Sequence, residues 1–235
     1  MSRKLNYFGS YLRGINPDGL ILMYNSTNAV SYPGTGNDLF DLQGNYDAVL
    51  TNVGFNTTTK FLEYPLSGYA LVDGSFSVSN SNAFTVSAVI NNTQTSLFPA
   101  PFTLKTNTSD GFTVFISSVG GYLGVNFGSR TSWVRIRNNI AFDNTKNNLI
   151  VIDYNGLGST NMNNFNLYIN NSLQTNFSSG QFAVIGNNTV LGGYFPINNN
   201  ARFVGDYPFF AVNNKVLPTS ERNDNYTYLQ QEFNL

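Results

Sequence analysis

Acidic side chains are the first candidates for chemistry in this chain, because its 235 residues include no histidine and no cysteine. Hydrolysis of a glycosidic bond needs two carboxylates flanking the bond, one of them with a raised pKa. The glutamates are Glu63, Glu221 and Glu232, and only Glu221 has a second acid, Asp224, within three residues. That pair lies in a polar tail and not on a strand. We therefore expect no glycosidase activity.

Other catalytic arrangements are also weakly represented. Several aspartates could meet only through folding, and each lies at or near a turn signal, where a short carboxylate usually bonds the local backbone. These are Asp110, Asp143, Asp153 and Asp206. A serine nucleophile would need lysine as its base, and no lysine lies in a Ser-x-x-Lys pattern. We predict that the protein is not an enzyme and has no organic cofactor.

Calcium is the one metal for which the residue types suffice. Asp38, Asp41, Asn45 and Asp47 fall within ten residues in a turn-rich stretch, and Ca²⁺ takes about six to eight oxygen ligands. The alternative is that Asp41 and Asn45 cap a tight turn through their own backbone. Both interpretations stay open on the sequence.

A second candidate site surrounds Trp133, the one tryptophan. If this segment is a strand, Val134 and Ile136 share one face, and Trp133, Arg135 and Arg137 share the other. Trp and Arg on an exposed face are typical of protein interfaces. Stacking on a sugar is a second use of the same tryptophan. The third interpretation is a buried tryptophan with both arginines reaching outward to solvent.

Charge and composition exclude several classes of partner. Charged residues make up only 11% of the chain, the net charge is −1, and polarity comes mainly from amides and hydroxyls, with 37 asparagines. Scattered basic residues and a pI near 5.3 give no basic patch for nucleic acid or an anionic membrane. No apolar run approaches the roughly 18 residues of a membrane span, and the N-terminus lacks the apolar core of a secretion signal.

Short alternating segments rich in β-branched and aromatic residues recur along the chain, separated by Asn, Gly, Ser and Asp clusters. The predicted strands cover 84–90, 112–117, 122–127, 133–137, 149–153 and 165–169. This spacing is typical of an all-β sandwich or barrel. The best helical candidate is the tail from Pro218 to Phe233, which could hold a turn or two.

Four blocks, in order, resemble a known family. The first contains Ser31-Tyr-Pro-Gly-Thr-Gly36 and Asp41-Leu-Gln-Gly-Asn45, and the others are 84–90, the pair 148–156 with 166–173, and 203–234. Together they are similar to the laminin-G-like, or concanavalin A-like lectin/glucanase, jelly roll in the form common in bacteriophage virion proteins. The resemblance covers about residues 18–235. It implies an antiparallel two-sheet jelly-roll sandwich that closes with a short C-terminal helical turn.

The resemblance and the composition together predict a non-enzymatic virion structural protein, such as a capsid decoration, head-fibre or tail-associated subunit. Its expected partners are other virion proteins, copies of itself and a host surface glycan, and its expected place is the virion, assembled in the host cytoplasm. A free carbohydrate-binding, lectin-like module is the alternative, and a glycoside hydrolase ranks third. We divide the chain into an N-terminal arm, 1–17, and a jelly-roll domain, 18–235.

The arm should order by docking on another chain, because it has too little apolar area to fold alone. Its aromatics Tyr7, Phe8 and Tyr11 are the expected anchors. Deleting residues 1–16 should leave a folded domain that no longer incorporates into particles, which a particle-assembly assay would measure. Normal incorporation of the truncated protein would contradict this prediction.

Overall fold

The structure is a computed structural model, and it describes most of the chain. The described residues are 14–74, 76, 78, 82–93, 99–105, 111–116, 123–127, 134–137, 143, 145–156, 165–174, 176–177, 188–193 and 202–235. Among them, no helix has the length and hydropathy that crossing a membrane requires.

The described residues form strands along the whole chain and one helix at its end. In chain order these are β1 (Leu20–Asn25), β2 (Asp38–Leu39), β3 (Ala48–Thr51), β4 (Gly54–Phe55), β5 (Leu62–Tyr64), β6 (Tyr69–Val72), β7 (Phe84–Asn92), β8 (Phe102–Lys105), β9 (Gly111–Ile116), β10 (Leu123–Phe127), β11 (Val134–Arg137), β12 (Asn148–Tyr154), β13 (Phe165–Ile169), β14 (Ser172–Gln174), β15 (Asn176–Phe177), β16 (Asn188–Leu191), β17 (Gly205–Asn213) and α1 (Thr219–Phe233).

The strands build two antiparallel sheets. Sheet A has eight strands in the order β14-β13-β12-β7-β17-β5-β4, with β1 also paired to β17. Sheet B has nine strands in the order β15-β11-β10-β9-β8-β16-β6-β3-β2. Neighbours far apart in sequence, such as β7 beside β17 and β6 beside β16, give the crossovers expected of a sandwich. The predicted all-β, two-sheet fold is therefore confirmed.

The main core lies between the sheets and follows from strand alternation. On β7, Phe84, Val86, Ala88 and Ile90 point inward, and the neighbouring β12 and β17 contribute matching residues to the same cluster. Aromatic rings fill much of this layer, as in the stack of Tyr154 on Phe165, whose ring centroids are 4.5 Å apart.

A second, smaller core lies on the other face of sheet A. Val89, Val151 and Phe209 point away from the first core and pack with Leu229 and Phe233 of helix α1. The C-terminal helix is thus a layer over the outer face of these strands. As a result β7, β12 and β17 are buried on both faces, which is why they contain almost continuous apolar runs.

The β13–β14 connection is a hairpin with a two-residue turn. Asn170 and Asn171 have φ of 48° and 63°, the left-handed conformation that a two-residue hairpin turn requires and that asparagine tolerates best after glycine. The Asn170 side chain also accepts a hydrogen bond from the Leu149 N–H at 2.8 Å. The turn is therefore fixed to the neighbouring strand.

Strand β17 changes partner along one edge. Gly205 and Asp206 pair with β5, whereas Phe209 to Asn213 pair with β1. The register of β17 against β7 shifts between Asp206 and Phe209, and this irregularity contains Pro208. Proline has no N–H to donate and is tolerated in a sheet at such a bulge. The Pro208 carbonyl still accepts a hydrogen bond from the Ser26 N–H at 2.9 Å.

Helix α1 is longer than the turn or two predicted from the sequence. It spans fifteen residues, and the side chains that it buries are Arg222, Asn225, Leu229 and Phe233. Their spacing of three and four residues makes one face of a helix. Because half of that face is polar, the segment lacks the apolar periodicity by which sequence identifies a helix.

The buried polar half of that face meets partners on distant strands. The Arg222 guanidinium lies 3.4 Å from the Asp153 carboxylate and stacks over the Tyr168 ring at 3.9 Å. Asp153 also accepts a hydrogen bond from the Thr85 hydroxyl at 2.6 Å.

The expectation that Asp153 serves a turn is wrong, because it lies on β12 and is 1% exposed. The same expectation is confirmed for Asp143, which accepts from the Thr145 N–H.

The end of the predicted arm packs on the same helix. Ile15 is buried in the second core, between sheet A and helix α1, and the Asn16 N–H donates to the Asn225 side chain at 3.2 Å. Gly14 has φ of 101°, and a Cβ there would stand 2.3 Å from the Tyr228 ring. Residues 1–13, with Tyr7, Phe8 and Tyr11, lie outside the described residues, so the arm itself and the boundary at 17 stay predictions.

Burial raises the pKa of the Asp153 carboxyl, although the Thr85 hydrogen bond and the Arg222 charge act in the opposite direction. A carboxyl with a raised pKa holds its proton more tightly in the folded protein than in the unfolded chain. It therefore favours folding most below its ordinary pKa, and this contribution falls as the pH rises through the folded-state pKa.

We predict that Arg222→Met lowers the free energy of unfolding by about 3 kcal/mol at neutral pH, because it leaves a buried carboxylate without its cation. The loss should shrink as the pH falls, because protonation of Asp153 removes the buried charge that Arg222 compensates. Urea unfolding at several pH values measures this. In the control, Arg222→Met combined with Asp153→Asn, that pH dependence should disappear, and an equal loss at all pH values in the single variant would contradict the prediction.

Candidate functional site

The Asp41 carboxylate is saturated by backbone donors. Its Oδ1 accepts from the N–H groups of Met23 and Gln43 at 2.9 and 3.0 Å. Its Oδ2 accepts from those of Asn45 and Tyr46 at 3.1 and 3.2 Å. Burial raises the pKa of Asp41, and these four hydrogen bonds act to lower it. The side chain thus joins β1 to the turn that follows β2, and the predicted turn chemistry is confirmed for Asp41.

The other residues of the predicted calcium set lie in different environments. Asp47 accepts a hydrogen bond from the Asp41 N–H at 2.9 Å. Asp38 is exposed on β2, and the Asn45 side chain is exposed in the turn. Within the ranges that the structure describes, no group of three or more acidic side chains is placed to hold a metal ion. Calcium binding by Asp38, Asp41, Asn45 and Asp47 stays a prediction.

The acid pair considered from sequence does not act as a pair. Glu221 lies on the first turn of α1 and forms an ion pair with Lys215, with 2.8 Å between Oε2 and Nζ. Lys215 is also 2.7 Å from Asp18. Asp224, the proposed second acid, is exposed on the helix.

The sheet register brings together a different acid pair that the sequence did not reveal. Glu63 on β5 stands directly opposite Asp206 on β17, and Asn91 on β7 flanks Asp206 on the other side. Burial, and then the Glu63 charge, raise the pKa of Asp206. These side chains lie on the outer face of sheet A, since Leu62 and Tyr64 on either side of Glu63 belong to the inner core. A separation of 143 positions in the chain hides such a pair from any local pattern.

The outer face of sheet B carries a row of side chains that crosses six strands. The row, defined by the register, is Asp38, Val49, Leu71, Val190, Thr103 and Thr113. Val190, Thr103 and Thr113 are buried, whereas Val49 is 55% and Leu71 39% exposed. One half of this face is therefore covered and the other half is open. We call Val49, Leu71 and the neighbouring Tyr69 and Thr51 the open strip.

The boundary between the two halves is built around Arg202. Its guanidinium lies over the Tyr69 ring, 5.2 Å from the centroid, and donates to the Ser67 carbonyl at 3.3 Å. Gly193 packs against the same surface, and its carbonyl accepts from the Thr103 hydroxyl at 3.0 Å. Arg202 is only 7% exposed, so it fixes one side of the partly buried Tyr69 ring, which lies at the edge of the open strip.

The aromatic and basic residues predicted as an interface are not tested by this geometry. Strand β11 exists and pairs with β10 and β15, but Trp133 lies outside the described residues and the side chains of Arg135 and Arg137 are not among those described. The interface formed by Tyr7, Phe8, Tyr11, Trp133, Arg135 and Arg137 therefore stays a prediction.

The open strip was missed because its sequence signal is weak. Ala48-Val49-Leu50 and Ala70-Leu71-Val72 contain no polar residue that would mark one face as solvent-facing. Both segments are typical of strands buried on two sides. Unlike the outer face of sheet A, however, this part of sheet B has no helix over it among the described residues. A signal of this kind becomes visible only after the sheet order is known.

No protein family and no curated protein matches the chain in sequence. In structure it is similar to the binding domain of botulinum neurotoxin DC in complex with SialylT, with a TM-score of 0.62, 16% identity, and coverage of 91% of this chain and 52% of that one. The same toxin domain with rat synaptotagmin II matches with a TM-score of 0.62, 16% identity, and coverage of 90% and 52%.

A third solved structure matches over nearly its whole length. Domain 4 of AbnA, a GH43 extracellular arabinanase from Geobacillus stearothermophilus, in complex with arabinotriose, has a TM-score of 0.67, 17% identity, and coverage of 88% of this chain and 98% of that one. The chain spans about half the length of the toxin domains. At these identities the likeness shows the fold, a two-sheet β sandwich, and the phage context stays a prediction.

We predict that Asp41→Ala lowers the free energy of unfolding by about 3 kcal/mol, because it removes the acceptor for four backbone N–H groups at a buried site. Asp38→Ala is the matched control, since Asp38 is an exposed acid three positions away, and it should change stability by less than about 0.5 kcal/mol. Equilibrium urea unfolding of both variants gives the comparison. Equal, small losses would show that Asp41 does not hold the turn.

Proposed function

We propose that this chain is a non-catalytic glycan-binding module and that the open strip of sheet B is its binding face. The observation that carries the proposal is the partly buried Tyr69 ring, held by Arg202 beside the exposed Leu71 and Val49. Sugar rings present C–H faces that pack on aromatic and aliphatic side chains. A ring already fixed in position loses little conformational freedom when a ligand arrives.

Polar groups for sugar hydroxyls border the same surface. Thr51 stands opposite Tyr69, and the exposed Asp38 stands opposite Val49. Hydroxyl and carboxylate oxygens both accept hydrogen bonds, and a threonine hydroxyl also donates one. A few such groups around an apolar strip are the usual composition of a small-molecule site.

The position of the acids supports binding over catalysis. Glu63 and Asp206 lie on the outer face of sheet A, on the opposite side of the sandwich from the open strip. Three exposed aspartates border the strip: Asp38 on β2, and Asp47 and Asp73 at the adjacent ends of β3 and β6. All three are exposed to solvent, whereas glycoside hydrolysis needs one carboxyl whose pKa an apolar environment raises.

The structural neighbours give independent support. One is the domain of an arabinanase solved with arabinotriose, and another is a toxin binding domain solved with SialylT. Their binding functions are consistent with the lectin-like alternative derived from the sequence. The virion role, with virion proteins and further copies of the chain as partners, stays a prediction from sequence resemblance.

We predict that Leu71→Asp weakens glycan binding at least tenfold, because it places a charge in the apolar strip, a loss of about 1.4 kcal/mol. Leu173→Asp is the matched control: Leu173 is 49% exposed on β14 of sheet A, against 39% for Leu71, and its variant should bind within about twofold of the parent. The parent is first screened on a broad glycan array, and calorimetry with the best glycan then compares the variants.

Thermal unfolding of both variants confirms that the domain remains folded. Two outcomes would overturn the proposal. The first is a folded parent protein that binds no glycan on the array. The second is an equal loss of binding in Leu71→Asp and Leu173→Asp, which would move the site away from sheet B.

A further inference from the structure

Two tyrosines in the inner core are buried together with their hydroxyl groups. Tyr64 on β5 is 2% exposed and Tyr207 on β17 is 3% exposed. Their rings are adjacent, with centroids 5.6 Å apart. Burial raises the pKa of both, and the charge of Tyr64 adds to the rise at Tyr207.

Neither hydroxyl has a hydrogen-bond partner in the protein. A buried hydroxyl without a partner costs about 1–3 kcal/mol, and such groups are rare in folded proteins unless water satisfies them. The nearby Tyr24 shows the usual solution, since its hydroxyl donates to the Tyr46 carbonyl. The hydroxyls of Tyr64 and Tyr207 lack the hydrogen bond that their neighbour makes, and this indicates a partner outside the described side chains and backbone.

The rings cannot turn to find one within the core. Tyr64 packs against Phe203 as well as Tyr207, with centroids 6.4 Å apart in the first pair. The backbone at Gly192 lies directly on the Tyr64 ring, where an added Cβ would stand 2.2 Å from a ring carbon. Gly192 also has φ of 76°, so glycine is the residue that permits this close approach.

A small cavity borders both tyrosines. Its volume is about 10 Å³, and four of the residues that line it carry hydroxyl groups, namely Tyr24, Ser26, Tyr64 and Tyr207. A single buried water needs about 10–15 Å³ and two to four polar partners. Ser26 donates its hydroxyl to the Lys60 carbonyl at 2.8 Å, which leaves its oxygen able to accept. The cavity is the size of one water and is too small for a larger ligand.

We propose that this cavity is an internal binding site for one water molecule, which hydrogen-bonds to the hydroxyls of both Tyr64 and Tyr207 and so links β5 to β17. The water satisfies two buried groups at the point where β17 changes its partner strand. This site is independent of the glycan-binding proposal, because it lies between the sheets and not on the open strip.

The test is a double-mutant cycle in thermal unfolding. Tyr64→Phe and Tyr207→Phe each remove one partner of the shared water, so each should lower the melting temperature by about 2–4 °C. The double variant should lose clearly less than the sum, because the second change acts on a water already weakly held. If the hydroxyls were without water, each phenylalanine would leave the melting temperature unchanged or raise it, and this result would overturn the proposal.

Tyr32→Phe is the matched control for the cycle. Its hydroxyl is also on a buried tyrosine, but it donates directly to the Gly36 carbonyl at 3.0 Å. Its loss should add fully to that of Tyr64→Phe. A high-resolution crystal structure of the protein gives the second measurement: a water within hydrogen-bond distance of both hydroxyls supports the proposal, and an empty cavity there overturns it.

Discussion

Burial of both faces of the central strands of sheet A, β7, β12 and β17, is the constraint on which the rest of the molecule depends. A sheet in an ordinary sandwich buries one face, but here helix α1 covers the second with Leu229 and Phe233. Covering that face also encloses Asp153, and the Arg222 guanidinium from the helix balances its charge. The helix is therefore fixed by one buried charge pair as well as by apolar contact. A buried pair of this kind favours a unique docking geometry more than it adds net stability.

This arrangement leaves sheet B to face the surroundings. The inner face of each sheet packs in the common core, and the helix covers the outer face of sheet A over its central strands. On sheet B, Val49 and Leu71 are neighbouring exposed aliphatic side chains, and they can contact another molecule without unpacking the fold. The difference between the two outer faces, one covered and the other exposed, thus follows from the position of the helix.

The fold class was predictable because strand patterns are local. Alternation in 149–153 and 165–169 correctly indicated β12 and β13, which pair with each other. The turn role of Asp41 was also predictable as an alternative to calcium, since it depends on N–H groups mostly a few residues away.

What sequence could not supply depends on pairings between distant segments. The helix was underestimated because its buried face includes Arg222 and Asn225, whose partners are 69 and 209 positions away. The open strip and the pair of Glu63 with Asp206 appear only when the strand order is known. The sites that could carry function are therefore those that local periodicity describes least well.

The contact of Gly14 with Tyr228 has a consequence for orientation. Gly14 and the C-terminal helix lie together on the outer side of sheet A, so a domain or an anchor joined after the helix would leave the sandwich from that side. The open strip lies on the opposite side, beyond sheet B. A tether joined after the helix would thus direct the exposed face of sheet B away from the support and toward an approaching molecule.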